Sequence, residues 1–247
     1  MASKTRIFFL NAISLTATAL IMRAVSVIFN VYVSKSAGSE AMGLYSLLGS
    51  VYAFSITVGT AGINLGTTRI VSDAIGIGDY SLARRSVKKA LLCCTVTGTL
   101  ASALLYITAP LLASALLSDV RAEMPLKILA ATLPPVAICS CLSGYFTAVR
   151  RVKVSSFSQI FIQLVKIGAT LGFLSLLGKR DAEEACIALV LGMTVAELVS
   201  LIITYGLYLV DRRKLERCVE VSDMHGHGIV KKLLGITLPV TFSACIR

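Results

Sequence analysis

The 247-residue chain is 56% hydrophobic and only 15% charged, with mean hydropathy +0.83 and a formal net charge of +11. A soluble domain carries roughly 25% charged residues, so this composition excludes an ordinary soluble enzyme, and it leaves no soluble domain on which the positive charge could form a nucleic-acid groove. Seven cysteines, with Cys93, Cys94, Cys139, Cys141 and Cys186 in or beside apolar runs, exclude a secreted disulfide framework and read as small buried hydrophobes.

Crossing the hydrocarbon of a bilayer takes about 20 consecutive, mostly apolar residues. Six runs qualify: Ile7–Val33, Leu44–Val71, Ala90–Leu117, Leu126–Val149, Phe157–Leu177 and Ala185–Val210. The first follows Lys4 and Arg6 but continues to Val33, too long for a signal-peptide core, and reads as an uncleaved span. An apolar stretch from about Leu233 to Arg247 reads as the truncated start of a seventh. The expected fold is therefore an all-α polytopic bundle. Residues 1–210 form a six-helix lobe, 211–232 a basic loop, and 233–247 the beginning of a second lobe.

The basic residues alternate with the runs. One side holds Lys4 and Arg6, then Arg69, Arg84, Arg85, Lys88 and Lys89, then Arg150, Arg151 and Lys153, then the group from Arg212 to Lys232. The other side holds only Lys35, Arg121, Lys127, Lys179 and Arg180. Cations are retained on the cytoplasmic side during insertion, which places the amino terminus in the cytoplasm of a multi-pass plasma-membrane protein. Long apolar runs without period-2 alternation exclude a closed barrel. Gly62 and Gly66 form a small-xxx-small pair for close helix contact.

Three ionisable residues fall deep in the spans: Arg23, Lys166 and Glu197. Each costs roughly 2.5–3.5 kcal/mol at the centre of an inserted helix, so they should face the bundle interior or a wet cavity. Thr16, Arg23 and Asn30 recur every seven residues, with Ser26 beside them, giving the first span one polar stripe. Ser155, Gln159, Gln163, Lys166 and Thr170 advance by three or four and share one face of the fifth. Arg offers a permanent charge and a planar fork suited to phosphate. Arg23, Asn30, Gln159, Gln163 and Lys166 are the candidate substrate contacts; a structural ion pair or a snorkelling side chain is the plain alternative for Arg23. Glu197 in the sixth span is a candidate coupling carboxylate or a static partner for Lys166 or Arg23. His225 and His227 form no metal site by themselves, and Cys139-Ser-Cys141 carries no chemistry. No metal or cofactor is expected, and no nucleophile elbow, P-loop or zinc motif marks an enzyme.

Four stretches in order resemble the stage V sporulation protein B branch of the multidrug/oligosaccharidyl-lipid/polysaccharide exporter superfamily, the MATE-like transporters. They are Gly38 to Tyr45; Ala61 to Asn64 with Arg69 to Asp73; Gly76-Ile-Gly-Asp79 through Arg85; and Gly144-Tyr145-Phe146 followed by Gln159 and Gln163. Asn64-Leu65, Gln163 and Lys166 depart from the family's usual residues. The resemblance implies two six-helix lobes with alternating access between them, of which this chain supplies the first. The implied function is a flippase for a lipid-linked oligosaccharide or cell-wall precursor, possessing a lipid-linked anionic substrate, the bilayer and a second lobe as partners, with Arg23 and Lys166 on the anion. A cation-coupled multidrug exporter and an inactive or partner-dependent half-transporter are the rival readings.

Overall fold

The computed structural model describes residues 2–116, 119–149, 152–177 and 182–216. Lys179, Arg180, the two histidines, most of the basic loop and the stretch from Leu233 onward lie outside the described residues, as do the side chains at the start of the first helix and at Ser155. Among the described residues all regular structure is helical: α1 Ala2–Gly76, α2 Tyr80–Leu111, α3 Glu123–Ala130, α4 Leu133–Ala148, α5 Val152–Leu177 and α6 Ala182–Glu216.

A straight helix of 75 residues would be about 110 Å long, several times the roughly 30 Å hydrocarbon thickness. α1 is instead broken at Gly38, whose backbone (φ 86, ψ 162) leaves the helical region. A side chain is strained at that φ, so glycine is the residue that permits the break. α1 thus supplies two spans, here called its amino and carboxyl arms. The second arm ends in a turn built by Gly78 (φ 81), where Gly78 N donates to Ile75 O at 3.0 Å and Asp79 N to Ala74 O at 3.0 Å. Asp79 then caps α2, its Oδ1 accepting from Leu82 N at 2.8 Å, which satisfies one of the amides orphaned at a helix start.

α2 runs past Pro110 into a π-helical turn, Leu112–Leu116. The expected fourth span is not one rod. α3 and α4 meet at a 40° bend across Ala131 and Thr132. Pro134 and Pro135 open α4 and lack the N–H groups that would continue the ladder from α3. The bend is pinned from the second span. Thr132 Oγ1 donates to Leu129 O at 2.6 Å, so the 2.6 Å contact between Tyr52 and Thr132 is a donation from the tyrosine hydroxyl. Among the described residues, counting the bent pair once, five helices are long and apolar enough to cross a membrane, and the break at Gly38 raises this to the six spans that the apolar runs foreshadow.

The core has two main patches. Leu44, Leu48, Tyr52, Leu126, Leu129, Leu133 and Val190 pack together toward the Gly38 end. Val71, Val87, Leu142, Tyr145, Phe146 and Tyr208 pack at the other, where Tyr145 meets Tyr208 edge-on (5.2 Å, 90°) and its hydroxyl donates to buried Asp211 at 3.1 Å. Outside, Leu100, Leu104, Ile107, Leu176 and Ile202 are exposed, the pattern of a protein whose solvent is lipid. Helices approach closely through small residues. A Cβ on Gly144 would lie 2.6 Å from Asn64 O, in the seam where Asn64 Nδ2 donates to Ser140 O (3.2 Å) and Thr68 Oγ1 to Gly144 O (3.1 Å). Gly144→Val should push α4 off the second span and destabilise the bundle by about 1–3 kcal/mol, the usual cost of overpacking. A lowered melting temperature in detergent checks this; an unchanged one refutes the seam's tightness.

Candidate functional site

Two clefts open along the polar row of α5. The smaller, about 110 Å³, lies between the amino arm of α1, the start of its carboxyl arm, α5 and α6. Ser26, Asn30, Tyr45, Gln163, Lys166 and Thr170 line it with Phe29, Val33, Met42 and Leu189. Gln163 Nε2 donates to Ser26 Oγ at 3.1 Å, and Ser26 Oγ donates in turn to Met22 O at 2.9 Å, so the first and fifth spans are joined through side chains. The packing is made possible by Gly192 of α6. A Cβ there would stand 2.6 Å from Thr170 Cα, so any larger residue would drive α6 away from the polar face. Lys166 is the only charged side chain among the described residues lining this cleft.

The larger cleft, about 340 Å³, lies nearer the basic end, between the carboxyl arm of α1, α4, α5 and α6. Its polar lining is uncharged: hydroxyls of Thr60, Ser140, Ser143, Ser158, Ser200 and Thr204, with the amides of Asn64 and Gln159. Glu197 lines neither cleft. It is half-buried on α6. It makes no direct ion pair with Lys166 among the described residues.

The structure therefore brings Asn30, Gln163 and Lys166 together and places Gln159 in the neighbouring cleft. Arg23 lies elsewhere. Its side chain is exposed on the amino arm, as are Thr16 and Asn30 of the same stripe, and it lines neither cleft. What these clefts can do chemically is hold an oxygen-rich group. One offers a single cation ringed by hydroxyl and amide donors; the other offers neutral donors and acceptors with Phe146 in the wall.

Residues 8–244 match the family model described as polysaccharide biosynthesis protein. The chain belongs to the polysaccharide biosynthesis protein family. Among its relatives, this family member is 25% identical to stage V sporulation protein B of Bacillus subtilis (strain 168) over 250 residues, covering all of this chain and 47% of that protein. It is also 24% identical to the lipid II flippase MurJ of the same organism over 161 residues, covering 62% of this chain and 30% of that protein. It thus spans less than half the length of these relatives. In fold it is similar to a MOP superfamily transporter from Pyrococcus furiosus, with a TM-score of 0.77 at 14% identity over 92% of this chain and 50% of the other. It is likewise similar to a multidrug resistance MATE family transporter of that superfamily, with a TM-score of 0.70 at 16% identity over 93% and 51%. The fold shared with these structures agrees with the helical membrane bundle that the apolar runs suggested.

Spacing did not single out Thr60, Ser143, Ser158 or Tyr45. Isolated hydroxyls are common in membrane helices because each can donate to its own backbone, as Thr60 does to Ile56 O at 2.8 Å, so in sequence they look like ordinary helix residues. The junction of the first and fifth spans is directly testable. In a background without native cysteines, Ser26→Cys with Gln163→Cys should cross-link under a short bifunctional reagent, whereas Ser26→Cys with exposed Leu164→Cys should not. Equal yields on a gel would refute the arrangement.

Proposed function

We propose that this chain is the first lobe of a flippase that moves a lipid-linked saccharide bearing a phosphate or diphosphate across the plasma membrane by alternating access. The observation that carries the reading is the small cleft, where one half-buried cation stands among five other polar side chains from three spans with no carboxylate in the described lining. An ammonium is a point charge well suited to phosphate oxygens, and charge-assisted hydrogen bonds are stronger than neutral ones. Asn30 and Gln163 supply further donors, and Gln159 contacts the saccharide. Arg23, on the exposed face of the amino arm, meets the same anion from the side on which a second lobe closes; there its fork binds two oxygens at once. Glu197, outside the lining of both clefts on α6, is the coupling group, exchanging a proton as cargo arrives and leaves. The names of the two Bacillus relatives support a cargo of the cell-wall or spore-cortex precursor class. The basic alternation supports a cytoplasmic amino terminus.

A multidrug exporter for cationic compounds needs carboxylates or open aromatic faces in its cavity. The described lining of both clefts has no carboxylate, which favours the anionic cargo.

The test is flipping of a fluorescent polyprenyl diphosphate saccharide in liposomes that hold this chain together with a second lobe. Lys166→Ala should slow transport about tenfold, the order expected for loss of a hydrogen bond to a charged group. Arg23→Ala should slow it several-fold, and Glu197→Gln should abolish the response to an imposed pH gradient. Wild-type rates in Lys166→Ala, or export of cationic dyes in place of the lipid, would sink the reading.

A further inference from the structure

The two clefts differ in chemistry as well as in size. On the flippase reading, a cargo has three chemically distinct parts: an apolar tail, an anionic linkage and a saccharide. The small cleft suits the linkage. We propose that the larger cleft is a separate subsite for an uncharged sugar ring, and that it selects neutral over acidic sugars next to the anion.

Volume supports this first. A space of about 340 Å³ lies within the range of small-ligand pockets, and it is three times the volume of its neighbour. Polarity supports it next. A sugar presents both donors and acceptors on every hydroxyl, so its site needs groups that can do either, without net charge. Ser, Thr, Asn and Gln side chains are of that kind. Asn64 spends its Nδ2 on Ser140 O, which keeps its Oδ1 available as an acceptor toward the cleft. No hydrogen bond within the described residues engages the hydroxyls of Ser143 or the buried Ser158, so two groups in the wall stand ready for a ligand. Phe146, with Ile162 and Leu207, gives the apolar wall against which the C–H face of a ring can lie.

Position supports it third. Gln159 of the large cleft and Lys166 of the small one stand seven residues apart on one face of α5, about 10 Å along the axis. That distance suits an anion in one cleft and a ring joined to it in the other. Selectivity follows from the uncharged lining. A uronic acid would bring a carboxylate into a space with no lining cation among the described residues. Buried charge without a partner is expensive, so acidic sugars are rejected while neutral ones are held. The tail leaves from the other end, beside the lightly packed amino arm of α1.

The experiment measures binding of the full chain, in nanodiscs, to three probes: a polyprenyl diphosphate without sugar, the same lipid carrying a neutral N-acetylhexosamine, and the same lipid carrying a uronic acid. The neutral glycolipid should bind about tenfold more tightly than the sugarless one, the order that a few hydrogen bonds supply, and the uronic acid lipid no more tightly than the sugarless one. Ser143→Phe, which fills the cleft, should erase the sugar's advantage and leave the sugarless lipid within about twofold of wild type. Ser158→Ala with Thr204→Val removes hydroxyls without adding bulk and should reduce the same advantage several-fold, which decides the matter if the bulky variant fails to fold. Binding of the sugarless lipid reports on the flippase reading itself. If that lipid binds but the sugar adds nothing, or if the variants weaken both lipids equally, the sugar subsite is overturned while the flippase reading stands. If no lipid binds, both fall together.

Discussion

Hydrocarbon offers a polar side chain no partner, and the arrangement of this bundle follows from that constraint. Backbone groups are satisfied inside helices, so the chain crosses only as helix. Most hydroxyls in the spans are satisfied on the preceding turn, as at Ser55, Thr57, Thr97 and Thr194. What is left over cannot be satisfied locally: long amides, an ammonium and a carboxylate. These collect along one face of α5 and the facing sides of α1 and α6, because each lowers the cost of burying the others. The clefts are where that collection stays incompletely filled.

The close approach of the helices is the complement of this polar gathering. Between apolar helices in lipid there is little hydrophobic driving force, so contact depends on fit and on hydrogen bonds. Gly144 lets α4 lie against the carboxyl arm of α1, and Gly192 lets α6 lie against Thr170. Those two seams set the walls of the large and small clefts respectively. The bend at Thr132 serves the same end. It turns α3 under the first core patch while α4 keeps its course beside the large cleft, and the Tyr52 hydroxyl fixes it there.

Much of this was legible in the sequence, for reasons specific to membranes. Apolar run length reports the thickness of the bilayer, so the spans and their order could be read with few ambiguities. The polar row from Gln159 to Thr170 was legible because a helix repeats every 3.6 residues and nothing else explains amides at that spacing in an apolar run. The bend in the fourth span was not, although Pro134 and Pro135 announced a disturbance: prolines can also sit at the first turn of a helix or kink it slightly, and only the packing of Tyr52 and Leu129 selects the break. Nor could spacing reveal which side of the amino arm faces inward. Ser26 and Arg23 lie three residues apart and read as one stripe, yet Ser26 bonds Gln163 while Arg23 points away. A stripe wide enough to hold both covers about a sixth of the helix circumference, and the partner helix meets only its edge.

That edge-on docking bears on what surrounds the amino arm. Leu20, Ile21, Val27 and Ile28 are exposed on it, and Arg23 with them. Apolar side chains there are content in lipid, but a guanidinium is not, and Arg23 sits several turns from the helix end, farther than its own side chain reaches to water. The charge is therefore stable only if a polar surface lies against that side of the arm. In the two-lobe reading that surface is the cargo space itself, bounded by the facing lobe, with Lys166 on its near wall and Arg23 on its rim.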